Sequence, residues 1–135
     1  MSFTAWLDEY NVHVEQIDAQ HRQLASLANE LHLAVQSHRS PDELDRLMKQ
    51  FIDLTAEHFA TEEGLMVEYG YPGYPIHKAQ HDELLGQLVA FAEEVSGMSH
   101  AAFRFDFDVS SDWLMHHISE SDQKLGIFLN KKNVF

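Results

Sequence analysis

The sequence PIHKAQHDELLGQLVAFAEEV, residues 75–95, carries its apolar and histidine side chains at alternating intervals of four and three. These intervals are close to the roughly 3.6 residues of one α-helical turn, so the side chains share one face of a helix. A long helix with a single apolar face packs that face against other helices, as in a bundle. The inward positions of this helix are His77, His81, Leu84, Leu88, Phe91 and Val95.

Three other stretches repeat this spacing. The first has Ile17, His21, Leu24, Ala28, Leu31 and Val35 on its inward face; the second has Leu44, Leu47, Phe51, Leu54, His58 and Glu62; the fourth has Phe103, Phe107, Ser110, Leu114, His117 and Ser121. We predict helices near residues 18–38, 41–69, 75–96 and 100–119, and a short one near 122–131. The predicted fold is all-α: an antiparallel up-down-up-down four-helix bundle with an N-terminal arm and a short C-terminal helix.

Local signals mark the ends of these helices. Ser40, Pro41 and Glu43 form a capping box with Ser40 as the N-cap, so the second helix begins there. Asp18 and Ser99 are candidate N-caps of two other helices. Phe103, Phe105, Phe107 and Val109 alternate as a strand would, but an edge strand with no partner is improbable, so helix is preferred there.

Composition limits the possible partners. The 135 residues include 9 Lys and Arg against 22 Asp and Glu, giving a formal charge of −13. An acidic surface repels phosphate backbones and anionic lipids, so we expect neither nucleic acid nor membrane insertion. The lack of cysteine excludes disulfides and thiolate chemistry, so any metal must take nitrogen and oxygen ligands. With no signal-like or membrane-spanning stretch, we expect a cytoplasmic monomer made of one domain, residues 1–135.

Polar side chains interrupt the apolar face of each helix near one of its ends. They lie at the start of the first and third helices and the end of the second and fourth: His21, His77, His81, His58, Glu62 and His117. Because successive helices of such a bundle run in opposite directions, these ends meet in one layer. Each unpaired neutral polar group there costs about 1–3 kcal/mol, and an ionised one costs more. A bound metal removes this cost, so the sequence predicts a metal centre.

The fourth helix offers two neighbouring histidines. His117 lies on the inward face with Asp122 beyond it, whereas His116 and Glu120 form a rival pair four residues apart. The apolar spacing favours His117. Asp122 follows it by five residues, an angular step of about 140° on a regular helix, so both face inward only if the helix ends or widens. We therefore predict irregular backbone at residues 119–121. The remaining histidines are interpreted as surface or loop residues: His13, His32, His38 and His100.

In order along the chain, these residues resemble the hemerythrins, specifically the single-domain bacterial members. The resemblance rests on IDAQH at 17–21, HFATEE at 58–63, YP at 71–72 followed by His77 and His81, and WLMHHISESD at 113–122. It implies two non-haem iron ions joined by an oxo or hydroxo bridge. The implied ligands are His77, His81 and His117 for one iron and His21 and His58 for the other, with Glu62 and Asp122 bridging the pair.

The resemblance also implies what such a centre does. The iron with two histidines has room for a small ligand, and the implied lining is bulky and apolar: Leu24, Phe59, Trp113, Leu114 and Ile118. We expect reversible dioxygen binding by a carrier, store or delivery protein. An enzyme is disfavoured because no glutamate is followed three residues later by histidine, as in ferritin-like oxygen-activating sites. Two alternatives stay open: a sensor acting through a partner, which the lack of a fused signalling domain disfavours, and an enzyme scavenging peroxide or nitric oxide.

Overall fold

The computed structural model describes residues 10–94, 112 and 114–135. Its helices are α1 (Glu15–Gln36), α2 (Pro41–Tyr69), α3 (Tyr74–Glu94) and α4 (Gln123–Lys131), with a π-helical turn (Ile118–Asp122) joined directly to α4. Residues 114–117 are also helical, and no strand occurs in the described ranges. The all-α prediction is confirmed. Most of the predicted helix at 100–119 lies outside the described residues, as do Val95, Ser99, His100 and the alternating segment at 103–109. None of the described helices is long and apolar enough to cross a lipid bilayer.

The second helix begins where its capping signal predicts. Ser40 Oγ accepts a hydrogen bond from the backbone N–H of Glu43 at 3.2 Å, and Pro41 is the first helical residue. The Glu43 carboxylate accepts a hydrogen bond from Arg39 Nη1 at 3.0 Å. At the other end Gly70 adopts a left-handed conformation with φ of 69°, which glycine reaches without strain. This cap places the short turn to α3 at residues 70–73.

The first helix begins and ends earlier than the sequence predicts. Its first residue is Glu15, so the assignment of Asp18 as N-cap is wrong. The Asp18 carboxylate lies inside the helix and accepts hydrogen bonds from the backbone N–H groups of Val12 at 2.7 Å and His13 at 3.1 Å. It therefore satisfies donors of the preceding arm instead of those of its own first turn. The helix ends at Gln36 because His38 turns to a left-handed φ of 51°.

The described inward positions are buried as predicted except at Leu54 and Ser121, which are half-buried; Ser121 Oγ donates a hydrogen bond to Gln80 Oε1 at 2.7 Å. The described inward positions of α1 and α3 are all buried, and α1 packs on α2 and α2 on α3. In α2, Leu54 is only half-buried and Thr55 is buried in its place. The Thr55 hydroxyl donates a hydrogen bond to the Phe51 carbonyl at 2.7 Å, which satisfies the polar group within the helix.

Buried apolar side chains form two separate clusters along the bundle. The larger cluster contains Leu24 of α1, Phe59 of α2 and Leu114 and Ile118 of the last helical stretch. The smaller cluster closes the other end: Val12, Val14, Ile17, Met66, Leu125 and Leu129. Along the chain, His21, Glu62 and Asp122 each lie between a residue of the smaller cluster and a residue of the larger one. The polar layer predicted from the sequence is therefore enclosed by apolar side chains on both sides.

The described part of the predicted N-terminal arm lies against α4. Gln123 Nε2 donates hydrogen bonds to the carbonyl oxygens of Tyr10 at 3.1 Å and Asn11 at 3.2 Å. Asn130 Nδ2 donates to the carbonyl of His13 at 3.0 Å. Gly126 faces Val12 so closely that a Cβ at this position would lie 2.6 Å from the Val12 carbonyl oxygen. These contacts hold the arm against α4.

Candidate metal centre

Seven buried side chains, from α1, α2, α3 and the helical residues 114–122, meet in the polar layer. They form two groups that share both carboxylates. The three-histidine group consists of His77, His81 and His117, and the two-histidine group consists of His21 and His58; each group is completed by Glu62 and Asp122, with ligand atoms within 4.8 Å of one another. The structure thus brings together all seven residues that the sequence analysis proposes as metal ligands.

Glu62 faces both groups, with one oxygen toward each. Its Oε1 lies 3.0 Å from His81 Nε2 and 3.3 Å from His77 Nε2. Its Oε2 lies 3.1 Å from His58 Nε2 and 3.7 Å from His21 Nε2. A carboxylate in this position can bridge two cations and reduce their mutual repulsion.

Asp122 likewise directs one oxygen toward each group. Its Oδ1 lies 2.9 Å from His77 Nε2 and 3.0 Å from His117 Nε2, and its Oδ2 lies 3.0 Å from His21 Nε2. All five histidines therefore present the same ring nitrogen, Nε2, to the two carboxylates. This shared orientation is typical of a preformed metal site.

The π-helical turn explains how Asp122 reaches the layer. Residues 118–122 widen the helix, so His117 and Asp122 are both buried although five positions separate them. The predicted irregular backbone at residues 119–121 is confirmed. His117 is buried, whereas His116 is 65% exposed and pairs with Glu120 at 3.2 Å. The rival pair therefore lies on the surface, away from the layer.

The donor atoms of the layer fit a metal ion. The Nε2 atoms of His58, His81 and His117 are buried and form no hydrogen bond within the described part of the chain. In His58 and His81 the other ring nitrogen, Nδ1, already faces an acceptor, Gln20 Oε1 at 2.7 Å and Glu63 Oε2 at 2.9 Å. Nδ1 therefore carries a proton, which leaves Nε2 as the ring nitrogen that can bind a metal. A cation between these nitrogens and the carboxylate oxygens would give each of the buried atoms a partner.

The electrostatics of the layer favour cations. Burial alone would lower the pKa of His21, but its contacts with Asp122 and Glu62 raise it to about 9, and the same causes raise the pKa of His77 to about 9. Burial raises the pKa of Glu62, but the charge of His58 and the histidine hydrogen bonds lower it well below its usual range. The pKa of Asp122 is likewise lowered, by His117 and His21, against burial and the charge of Glu62. Both carboxylates are therefore ionised at neutral pH, and a metal displaces protons from the histidines.

Comparisons with known proteins agree with this geometry. The family described as "Hemerythrin HHE cation binding domain" matches residues 12–127. The chain belongs to the hemerythrin family. It is 30% identical to a bacteriohemerythrin of Stenotrophomonas maltophilia, over 91% of this chain and 79% of that protein. It is also 30% identical to a myohemerythrin of Sipunculus nudus, over 88% of each chain. A crystal structure of wild-type hemerythrin matches with a TM-score of 0.82 at 27% identity, covering 93% of this chain and 97% of that one.

Membership of the hemerythrin family indicates which metal the centre binds. The family implies binding of non-haem iron, and the histidine and carboxylate cluster could hold a metal. Imidazole and carboxylate are suitable ligands for iron. The ligands come from α1, α2, α3 and the helical residues 114–122 that precede α4.

Apolar side chains lie beside the hemerythrin cluster. Phe59 stacks on the His81 ring with centroids 3.9 Å apart and meets the rings of His58 and His117 at 5.9 and 6.0 Å. Leu24, Leu114 and Ile118 are buried in the same apolar cluster as Phe59. Trp113, the fifth residue expected to line the site, lies outside the described residues.

Two residues beside the ligands were quoted in the sequence analysis only as parts of motifs. Gln20 and Glu63 accept the Nδ1 hydrogen bonds of His58 and His81. Each lies next to a ligand in the chain, Gln20 before His21 and Glu63 after Glu62. The sequence marks Gln20 and Glu63 only as polar residues about 100° around the helix from the apolar face. Many surface residues fit the same description, so this signal does not single them out.

Proposed function

We propose that this chain binds dioxygen reversibly at a non-haem di-iron centre. The observation that carries the proposal is the position of the two carboxylates, each with one oxygen toward the three-histidine group and the other toward the two-histidine group. A single metal ion would use only one of these groups. Two ions account for all five imidazoles and for both oxygens of each carboxylate.

The proposed ligands divide unequally between the two ions. His77, His81 and His117 would hold one iron, His21 and His58 would hold the other, and Glu62 and Asp122 would bridge them, together with an oxo or hydroxo bridge. When bound, the iron pair supplies the electrons and the coordination position that dioxygen requires. The two-histidine group provides fewer protein ligands, so a small external molecule fits on its side.

Apolar side chains cover part of the layer. Phe59, Leu114 and Ile118 are buried beside the ligands and offer no polar group to a charged or hydrogen-bonding substrate. An apolar wall favours a small uncharged molecule over an anion. The clusters on both sides of the layer keep the carboxylates and imidazoles in fixed positions. These features support a carrier, store or delivery protein instead of an enzyme.

Iron analysis combined with visible spectroscopy tests the proposal. The protein is loaded with ferrous iron without oxygen, exposed to air and returned to oxygen-free buffer over several cycles. We expect two irons per chain and a visible absorption that appears with oxygen and disappears on its removal. Glu62→Gln should lose iron, whereas Glu57→Gln, an exposed change on the same helix, should retain both ions. One iron per chain, or zinc in preference to iron, would contradict the di-iron assignment, and sustained turnover with added reductant would indicate an enzyme.

A further inference from the structure

The hydrogen bonds behind the two ligand groups differ in charge. His58, in the two-histidine group, points its Nδ1 at the neutral amide oxygen of Gln20 at 2.7 Å. His81, in the three-histidine group, points its Nδ1 at a carboxylate oxygen of Glu63 at 2.9 Å. Both histidines are buried and both direct Nε2 toward Glu62. The two contacts are therefore matched in geometry and differ by one negative charge.

The orientation of the Gln20 amide is fixed by a further contact. Gln20 Nε2 donates a hydrogen bond to Thr61 Oγ1 at 3.0 Å, and the Thr61 hydroxyl donates to the carbonyl oxygen of Glu57 at 3.1 Å. Because the Thr61 hydroxyl proton is used on that carbonyl, its oxygen can only accept from Gln20. The amide oxygen of Gln20 therefore faces His58. The hydrogen bond to Thr61 on α2 keeps this neutral acceptor in place.

The carboxylate of Glu63 has a different neighbour. Lys78 Nζ lies 3.3 Å from Glu63 Oε1 and 2.9 Å from Asp82 Oδ1, with the lysine side chain 39% exposed. The lysine holds Glu63 in place from the solvent side and partly balances its charge. The other oxygen of Glu63, Oε2, accepts the hydrogen bond from His81 Nδ1, so a charged acceptor faces the buried imidazole.

We propose that Gln20 and Glu63 are positioning residues that make the two iron positions electronically unequal, a proposal that rests on the di-iron function given above. A carboxylate that accepts a hydrogen bond from Nδ1–H increases the basicity of the imidazole, and a more basic ligand stabilises ferric over ferrous iron. Glu63 thus lowers the reduction potential at the three-histidine group. The neutral Gln20 leaves the two-histidine group, the side with room for dioxygen, with the more stable ferrous state.

Reciprocal charge changes test this proposal. Glu63→Gln removes the charge behind His81, and Gln20→Glu adds one behind His58. The reduction potential of each iron-loaded protein is measured by spectroelectrochemical titration, with electrons supplied from an electrode through small mediators. We expect a higher potential for Glu63→Gln and a lower one for Gln20→Glu. A tenfold change in the preference for ferric over ferrous iron corresponds to about 59 mV in each case.

Matched controls separate this effect from general charge. Glu57→Gln and Gln23→Glu make the same charge changes at exposed positions on α2 and α1 and should move the potential much less. A third variant, Lys78→Gln, leaves both hydrogen bonds in place, in case Glu63→Gln or Gln20→Glu prevents folding. Lys78→Gln should lower the potential by freeing the charge of Glu63, whereas Lys49→Gln, at a lysine that also pairs with an aspartate four residues away, should not.

The outcomes distinguish this proposal from the one it rests on. Equal potentials in Glu63→Gln and wild type, or equal shifts in Gln20→Glu and Gln23→Glu, would overturn the tuning role and leave dioxygen binding intact. A wild-type protein that binds two irons but not dioxygen would overturn the proposed function, while opposite shifts in the two variants would still support tuning. A wild-type protein that binds no iron would overturn both.

Discussion

His116 and His117 are adjacent residues of the same type with opposite surroundings. His117 is buried with its Nε2 3.0 Å from Asp122, and His116 is 65% exposed beside Glu120. We expect His117→Ala to lose at least one of the two irons per chain, because it removes one nitrogen of the three-histidine group. His116→Ala should keep both irons and change the unfolding free energy by less than about 0.5 kcal/mol. Iron content after gel filtration measures this, and the opposite result would show that the wrong histidine was chosen.

His21 and His77 should make the stability of the metal-free protein depend on pH. The contacts with Asp122 and Glu62 raise the pKa values of His21 and His77 from 6.5 to about 9. A raised pKa contributes stability that is fully present below pH 6.5 and is lost as the pH rises through 9. We therefore expect the metal-free protein to become less stable from pH 6.5 to 9, as measured by urea unfolding. A constant or rising midpoint over this range would contradict the predicted protonation.

At the scale of helices, the contact between the N-terminal arm and α4 depends on Gly126. A Cβ there would lie 2.6 Å from the Val12 carbonyl oxygen, a distance that requires the backbone of one element to move. We expect Gly126→Ala to destabilise the protein by about 1–3 kcal/mol. The control is Gly86→Ala on the exposed face of α3, where an added Cβ meets no atom within 4 Å.

In that control the added methyl should stabilise the helix by about 0.5–1 kcal/mol, because alanine has the higher helix propensity. Urea unfolding of both variants gives the comparison. Equal effects of the two substitutions would show that the arm does not pack on α4 in solution.

The helices also show what the sequence could and could not predict. The start of α2 follows from Ser40 and Pro41, whose signals act within one turn, and the π-helical turn follows from the five-residue step between His117 and Asp122. The start of α1 could not be predicted in this way. Asp18 has the chemistry of an N-cap, but its partners are donors in the arm, and their position depends on α4. Contacts set by tertiary packing, including those of Gln20 and Glu63, leave only a local signal that many surface residues share.

For the molecule as a whole, iron binding should contribute a large part of the stability. Binding to the folded state alone adds about 4 kcal/mol when the free metal is 1,000 times its dissociation constant. We expect removal of iron with a chelator to lower the melting temperature by about 10 °C or more at neutral pH. Circular dichroism during heating measures the difference. Identical melting curves would show that the histidine and carboxylate layer does not use the metal for folding.

The layer lies between two apolar clusters that share no side chain, the larger containing Phe59 and the smaller containing Met66. Without iron, the ion pairs of His21 and His77 with the two carboxylates connect these clusters across the layer in addition to the helices themselves, and these pairs are lost as the pH rises through 9. The smaller cluster should then melt independently of the larger one. Scanning calorimetry of the metal-free chain at pH 9 should show two overlapping heat-absorption peaks, while the loaded chain shows one. The iron pair would thus make a single cooperative unit out of two halves of a bundle.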